Sequence, residues 1–303
     1  MSADALAKSY TWCEKVARTQ AKNFYYSFLL LPSDKRKAMC AIYAFMRYCD
    51  DLSDDEGVGD RAAAIALWRQ DLTAALANPD AGASHPVWPA FVDTVNRYHI
   101  PHQYFFEMIE GVSSDLEPRR IQTFRELYDY CYHVASVVGL TIIHIFGFHD
   151  PKALVLAEKC GIAFQITNIL RDVREDAEKH RVYLPAEDLQ HFGVSPDTFG
   201  PPERFRELMA FEAERARDFF RQAAPLVRMV DARSQASLLA LIAIYSRLLD
   251  RIVQSNYDVL ARRIRLSTVE KIWLLARSMG GGILLTLGIG IGLLIFFFVL
   301  RSC

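Results

Sequence analysis

The stretch Asn168-Ile169-Leu170-Arg171-Asp172-Val173-Arg174-Glu175-Asp176 sets two carboxylates, Asp172 and Asp176, four positions apart in a helical, largely apolar sequence. Asp50-Asp51-Leu52-Ser53-Asp54-Asp55 does the same with Asp50 and Asp54, and Asp50 lies 122 positions before Asp172. On a helix this spacing puts both carboxylates on one face, where like charges repel. A folded chain keeps such pairs at low cost only where they face water or share a cation. Two facing pairs make an oxygen-only site suited to Mg²⁺, which keeps several waters and takes further oxygens from substrate phosphates. A lone D-x-x-x-D is better read as a solvent-facing stripe. Two of them, each on an apolar helix with arginine or amide neighbours, point to a site.

The faces extend beyond the aspartates. Tyr43, Arg47, Asp50 and Asp54 share one side of the first helix, and Gln165, Asn168, Asp172 and Asp176 share one side of the second. Around them the sequence is apolar, with Ile42, Ala44 and Phe45 in one helix and Ile162, Ile166 and Ile169 in the other. A polar stripe on such a helix is costly to bury without partners. Carboxylates hold Mg²⁺, Mg²⁺ holds a diphosphate, and Arg47 and Arg171 can add donors to phosphate oxygens. A neutralised diphosphate leaves readily, and departure from an allylic carbon yields a carbocation. That cation needs an apolar, aromatic-lined pocket closed to water. Phe24-Tyr25-Tyr26-Ser27-Phe28, Tyr130, Tyr132, Phe164 and Tyr245 supply the aromatic rings.

Almost everything before residue 278 reads as helix. Pro32-Ser33-Asp34 caps a helix to about Asp54, and Asp60 starts the next, which ends near Asn78-Pro79. Helices are expected at about 88–98, 102–114, 123–146, 151–178, 201–225 and 231–260, with a short polar connection between Pro185 and Pro202. No run shows sustained strand alternation. The chain has 303 residues, 51% hydrophobic and 12% aromatic, enough for a substantial core, and its formal charge of −1 offers nothing to a nucleic acid. Its six cysteines form no C-x-x-C, and its eight histidines show no metal-binding spacing, so neither a zinc nor a redox motif is present. The first residues carry no basic region followed by an apolar run, so no signal peptide is expected.

Met279 to Leu300 reads MGGGILLTLGIGIGLLIFFFVL, 22 residues without a charge. About 20 such residues cross a bilayer core. Arg262, Arg263, Arg265, Lys271 and Arg277 precede the run and only Arg301 follows, which places the preceding domain in the cytoplasm. A buried core helix is the competing reading, but a chain ending in Phe296-Phe297-Phe298 favours a lipid bilayer as the partner. The expected architecture is an all-α catalytic domain over residues 1–277 and a C-terminal transmembrane helix, a single-pass anchor, over 278–303.

The ordered motifs resemble a known family. Lys22-Asn23-Phe24-Tyr25-Tyr26, Asp50 to Asp55, Tyr130-Cys131-Tyr132-His133-Val134-Ala135-Ser136-Val137-Val138-Gly139, Phe164 to Asp176 and Arg181-Val182-Tyr183-Leu184-Pro185 look like those of the squalene/phytoene synthases. The resemblance covers about residues 15–275. It implies a class I isoprenoid synthase helical bundle and Mg²⁺-dependent head-to-head condensation of two prenyl diphosphates through a cyclopropyl diphosphate. By motif, Asp50 and Asp54 would hold metal at one diphosphate, and Asn168, Asp172 and Asp176 at the other, with Gln165 beside them. Tyr130 matches the tyrosine near the reacting carbons. Lys22, Asn23, Phe24, Tyr43, Arg47 and Arg171 match positions at the substrate. Arg181 and Tyr183 follow the second acidic motif, and Tyr245 and Arg262 match a late tyrosine and arginine that close over it. Ser136 stands where the family usually has glycine, which adds bulk near the pocket, and Ala21 and Asn23 replace serines of some members.

Bulky Phe24 and Phe28 favour a C15 substrate, farnesyl diphosphate, giving presqualene diphosphate or squalene, the latter with NADPH as reductant. Phytoene or dehydrosqualene synthesis from C20 or C15 diphosphates is the alternative within the class. Outside it stand a tail-anchored helical scaffold without activity and head-to-tail chain elongation. Both acidic pairs with their arginines argue against the scaffold, and the second cluster's lack of D-D-x-x-D argues against elongation.

Overall fold

Side-chain caps set where several helices begin. Asp60 accepts from the amide of Ala63 at 2.9 Å and Thr123 from that of Glu126 at 3.2 Å, each satisfying a donor the first turn leaves open. Ser267 and Glu270 form a reciprocal capping box before the last helix. Stops are as local: Gly193, at φ 65°, ends one helix in the left-handed region. These signals recur through a computed structural model that describes residues 2–54, 57, 59–78, 85–116 and 119–280, with the backbone alone for Lys22, Asn23 and Asp54.

The described residues form α1 (Ala3–Gln20), α2 (Lys22–Phe28), α3 (Ser33–Asp54), α4 (Arg61–Ala77), α5 (Trp88–Arg97), α6 (Gln103–Ser113) and α7 (Phe124–Cys131). After them come α8 (Val137–Phe146), α9 (Lys152–Glu178), α10 (Ala186–Phe192), α11 (Pro202–Ala223), α12 (Ala232–Gln254) and α13 (Thr268–Met279). A π turn, Tyr132–Ser136, joins α7 to α8, and a 3₁₀ turn, Ala224–Arg228, joins α11 to the chain before α12. Among the described residues, β pairing is limited to isolated bridges, Arg120 with Val182 and Phe148 with Val230. The all-α expectation holds for them.

Two hydrophobic clusters make the core. One gathers Phe28, Phe45, Trp88, Phe91 and Phe105. The other gathers Tyr130, Ile166, Leu208, Tyr245 and Leu248. Phe24 and Phe164 pack against both, so the seam between the clusters runs past these two rings. The helix α9 packs against α7, α8, α11 and α12. It and the run Phe124–Phe146 are long and apolar enough to cross a membrane by length and composition, but about half of each is buried in the protein. Burial among neighbouring helices accounts for that composition.

Several elements depart from expectation. The helix expected over 123–146 runs from Phe124 to Phe146 but holds the π turn within it, packed between two glycines. A Cβ on Gly161 would come 2.6 Å from the Ser136 Cα, and one on Gly111 would come 2.9 Å from the His133 carbonyl carbon. The polar connection before Pro202 contains α10. The helix expected to reach 260 ends at Gln254, because Asn256 and Tyr257 turn to φ 54° and 60°. Arg174 of α9 then holds the turn by donating to the carbonyls of Leu260 at 3.3 Å and Ala261 at 2.9 Å. Finally, α13 packs on α12 and α2, and buries Ser278, so the expected boundary between 277 and 278 lies inside this helix. Residues 281–303, and with them nearly all of the expected transmembrane run, lie outside the described residues.

Candidate active site

A cavity of about 390 Å³ opens along the seam between the two clusters. Its walls come from α2, α3, α6, the α7–α8 helix, α9 and α12. Along α3 the lining passes from Met39 and Ile42 to Arg47 and Asp50; along α9 it passes from Ala157 and Cys160 to Gln165 and Asn168. Both helices therefore line an apolar space in one part and a polar space towards their C-terminal ends. The small residues Gly139, Ala157 and Gly161 leave room along the apolar wall.

At the first acidic row, Asp50 is exposed and lines the cavity. Arg47 also lines it and pairs with Asp51, while its Nε is buried without a hydrogen-bond partner. That spare donor suits an anion. Ser53 closes the turn by donating to the Asp50 carbonyl at 2.8 Å. Tyr43 lines the same wall, and burial pushes its phenol up to about 12. Asp54 belongs to this row by sequence, but its side chain lies outside the described residues, as do those of Lys22 and Asn23 at the start of α2.

At the second row, Gln165 and Asn168 line the cavity and bond to one another at 3.3 Å, Asn168 donating. The Asn168 Oδ1 is buried without a hydrogen-bond partner. Arg171 grips Asp172 with both Nε, at 2.7 Å, and Nη2. Arg263 reaches Asp172 at 3.0 Å and Glu175 at 3.1 Å from the turn after α12. Burial and the neighbouring Asp172 carboxylate push Asp176 up to about 7, against the pull of Arg181.

These residues fit a divalent cation. The Asn168 carbonyl oxygen is buried without a hydrogen-bond partner, and Asp176 resists ionisation beside Asp172, so both are oxygen donors that a cation would satisfy, while Asp172 is held by Arg171 and Arg263. Among the described residues no three acidic, histidine or cysteine side chains converge as a self-sufficient metal cage. Mg²⁺ sites that complete their shell with water and substrate phosphate need only one or two carboxylates.

A third group sits where α6, α7 and the segment after α9 meet. Asp115 accepts from the Tyr130 hydroxyl at 3.0 Å and from the Tyr183 hydroxyl at 2.8 Å. Arg181 donates to the Asp115 backbone carbonyl at 2.7 Å. The two tyrosine rings stack at 4.7 Å, and the Arg119 guanidinium lies 5.1 Å from the Tyr130 ring centre. Burial, and then the Asp115 charge, hold the Tyr130 phenol well above its ordinary range. Across the cavity Tyr245 stacks on Phe164 at 4.2 Å, with Phe24 at 5.7 Å. Stacked π faces suit a passing carbocation.

The structure thus brings Phe24, Tyr43, Arg47, Asp50, Tyr130, Gln165, Asn168, Arg181 and Tyr245 to one cavity, with Arg171, Asp172, Asp176 and Tyr183 adjoining through their neighbours. It does not bring Arg262, which is 70% exposed and pairs with Asp258 at 3.4 Å. Arg263, one position on, turns inward to Asp172, because a sharp turn at Asn256 and Tyr257 sets which arginine faces α9. Ser136 adds no bulk to the cavity: it is fully buried and donates to the Glu158 carbonyl at 2.8 Å. Sequence spacing marks neither Asp115 nor Arg263 as a site residue, Arg263 reading there only as part of the basic flank before Met279. Asp115 has partners 15 and 68 positions away, so no local spacing marks it.

The squalene/phytoene synthase family model matches residues 17–270. A 15-cis-phytoene synthase of Synechococcus elongatus is 37% identical over 294 residues, spanning 91% of this chain and 94% of that one. A phytoene synthase of Mycobacterium tuberculosis is 36% identical over 285 residues, with 92% and 93% covered. A dehydrosqualene synthase crystal structure superimposes with a TM-score of 0.83 at 27% identity, over 91% of this chain and 96% of that one. The fold is that of the all-α isoprenoid synthases, and the chain belongs to the squalene/phytoene synthase family. It is a prenyltransferase of the kind that joins prenyl diphosphates head to head.

Proposed function

We propose that this enzyme condenses two geranylgeranyl diphosphates into phytoene, through a cyclopropyl diphosphate, with Mg²⁺. The observation that carries the reading is the seam cavity, polar at the acidic rows and apolar beyond them. The choice of a C20 substrate over the C15 one favoured by the bulk of Phe24 and Phe28 rests on the relatives, which are named phytoene synthases at 36–37% identity. Phe24 lies tilted against Tyr245 with ring centres 5.7 Å apart, and Phe28 meets Tyr43 edge-on at 6.5 Å, both rings forming part of the cavity wall.

Mg²⁺, held by Asp50 and Asp54 at one diphosphate and by Asn168, Asp172 and Asp176 at the other, would supply the charge that makes pyrophosphate a leaving group. The protein's own groups do the rest. The unpaired Arg47 Nε offers a donor to diphosphate oxygen. Phe164 and Tyr245 present π faces to the allylic cation. The apolar walls exclude the water that would quench it. Phytoene formation ends in proton loss, with no reductant, so NADPH belongs only to a squalene outcome. The catalytic domain sits in the cytoplasm on a C-terminal single-pass anchor, from which an apolar C40 product passes to the bilayer; the uncharged run after α13 supports this.

The test is mass spectrometry of products from farnesyl and geranylgeranyl diphosphate, each with and without NADPH. Phytoene from the C20 substrate, unaffected by NADPH, is the expected result. Squalene or dehydrosqualene from the C15 substrate, with no C40 product, would overturn the substrate choice. No pyrophosphate release from either would favour the inert scaffold.

A further inference from the structure

Asp115 lines the same cavity as Tyr130, yet belongs to neither acidic row. It lies in the turn two residues past the end of α6, and Arg181 holds its backbone carbonyl at 2.7 Å. Its two carboxylate oxygens are divided: Oδ2 takes the Tyr130 hydrogen at 3.0 Å, and Oδ1 takes the Tyr183 hydrogen at 2.8 Å. A phenol has a single O–H to give. With that hydrogen committed to Asp115, the Tyr130 oxygen can meet the cavity only with its lone pairs. Without Asp115 the hydroxyl would be free to turn its positive end toward the reacting carbons, which is the wrong sign for a carbocation. The buried carboxylate also places a negative charge directly behind the phenol, where low local dielectric strengthens its effect. Stacking against Tyr183 and the Arg119 guanidinium over the ring hold the aromatic plane in place.

We infer that Asp115 is a positioning residue for this reaction, fixing the Tyr130 hydroxyl so that its lone pairs face the cationic carbons. The inference rests on the functional reading above, since it needs a cation in this cavity. It adds a residue whose carboxylate hydrogen-bonds with Tyr130 and Tyr183 and not with metal or diphosphate. Asp115 should therefore govern turnover and leave diphosphate binding alone.

The experiment is a double-mutant cycle on the full chain, with Asp115→Asn, Tyr130→Phe and the pair, read as kcat and KM relative to wild type on whichever prenyl diphosphate wild type uses. D115N keeps the shape but replaces one acceptor oxygen by a donor. Its kcat is expected to fall on the order of 100-fold, within the span of positioned proton-handling groups, with KM within twofold. In the Tyr130→Phe background the same change should cost less than threefold, because there is no hydroxyl left to orient. Asp115→Glu, which keeps the charge, should recover part of kcat, and it replaces D115N in the cycle if that variant does not fold. Additive losses in the cycle, or a rise in KM at unchanged kcat, overturn the inference. An activity-independent readout separates it from the functional reading. The tyrosine Raman doublet of Tyr130, taken as wild type minus Tyr130→Phe, should report a strong donor phenol that weakens in D115N. An unchanged doublet refutes the Asp115 inference even in an active enzyme, whereas a changed doublet in a protein that releases no pyrophosphate refutes only the functional reading.

Discussion

Gly161→Ala tests how the helix pair α7–α8 is held against α9. Glycine in a helix interior is ordinarily a loss, and alanine in its place should add about 1 kcal/mol of stability. Here the sign reverses. The added Cβ would lie 2.6 Å from the Ser136 Cα, 2.8 Å from its nitrogen and 2.9 Å from the Ala135 oxygen. All three are backbone atoms, so no flexible side chain can yield. Carbon atoms pack comfortably at about 3.5–4.0 Å, so the π turn must retreat by roughly 1 Å. Overpacking of this kind costs about 1–3 kcal/mol, which exceeds the propensity gain. At about 2–4 °C per kcal/mol for a protein near this size, the melting temperature should drop by a few degrees. Activity should suffer more, because the π turn follows Tyr130 and carries the cavity residues Val134 and Ala135. A displacement of about 1 Å at a reacting group can cost about 100-fold in rate. Thermal unfolding by circular dichroism and product formation at saturating substrate measure the two effects. Gly59→Ala, where a Cβ would meet nothing within 4 Å, is the control and should change neither. A Gly161→Ala protein as stable as wild type, with kcat within twofold, would refute the close-approach argument.

Arg263→Ala should raise the KM for the prenyl diphosphate at least tenfold, since Arg263 reaches Asp172, while Arg262→Ala, removing an exposed arginine, should leave it within twofold; steady-state pyrophosphate release decides between them. Glu212 is 1% exposed, and burial pushes its carboxyl up to about 8, because Arg215 at 2.7 Å is shared with Asp188 and cannot offset it. The folded chain holds that proton and the unfolded chain releases it near 4.5, so this stability is complete below about 4.5 and is lost as pH rises toward about 8, at about 1.4 kcal/mol per pH unit. Glu212→Gln should therefore flatten the denaturation midpoint over that window and exceed wild type at pH 8; a variant less stable than wild type there would show the ion pair to dominate. A chain ended after Gly280 keeps α13 docked and should be soluble and active, whereas the full chain should sediment with membranes; a full chain in the soluble fraction would remove the anchor.

How much of the site was legible differs residue by residue. Helical periodicity alone placed Arg47 with Asp50, and Gln165 with Asn168, because residues on one helix face stay together whatever the helix packs against. The helix start at Asp60, with its side-chain cap, was legible for the same local reason. Ser136 shows the limit: its place in a motif said that it was near the cavity, but the π turn directs it to the Glu158 carbonyl. Arg262 and Arg263 show it again, since one residue of turn geometry exchanges outside for inside.

The sequence by itself determined an all-α chain, two carboxylate faces and the family to which they belong, because each is written in short-range spacing. Only the tertiary structure decided that the two faces border one cavity, that Arg263 reaches Asp172, and that Asp115 takes the hydrogens of Tyr130 and Tyr183. Those contacts join residues on different helices, and their geometry depends on how the helices pack, including two glycine approaches no periodicity encodes.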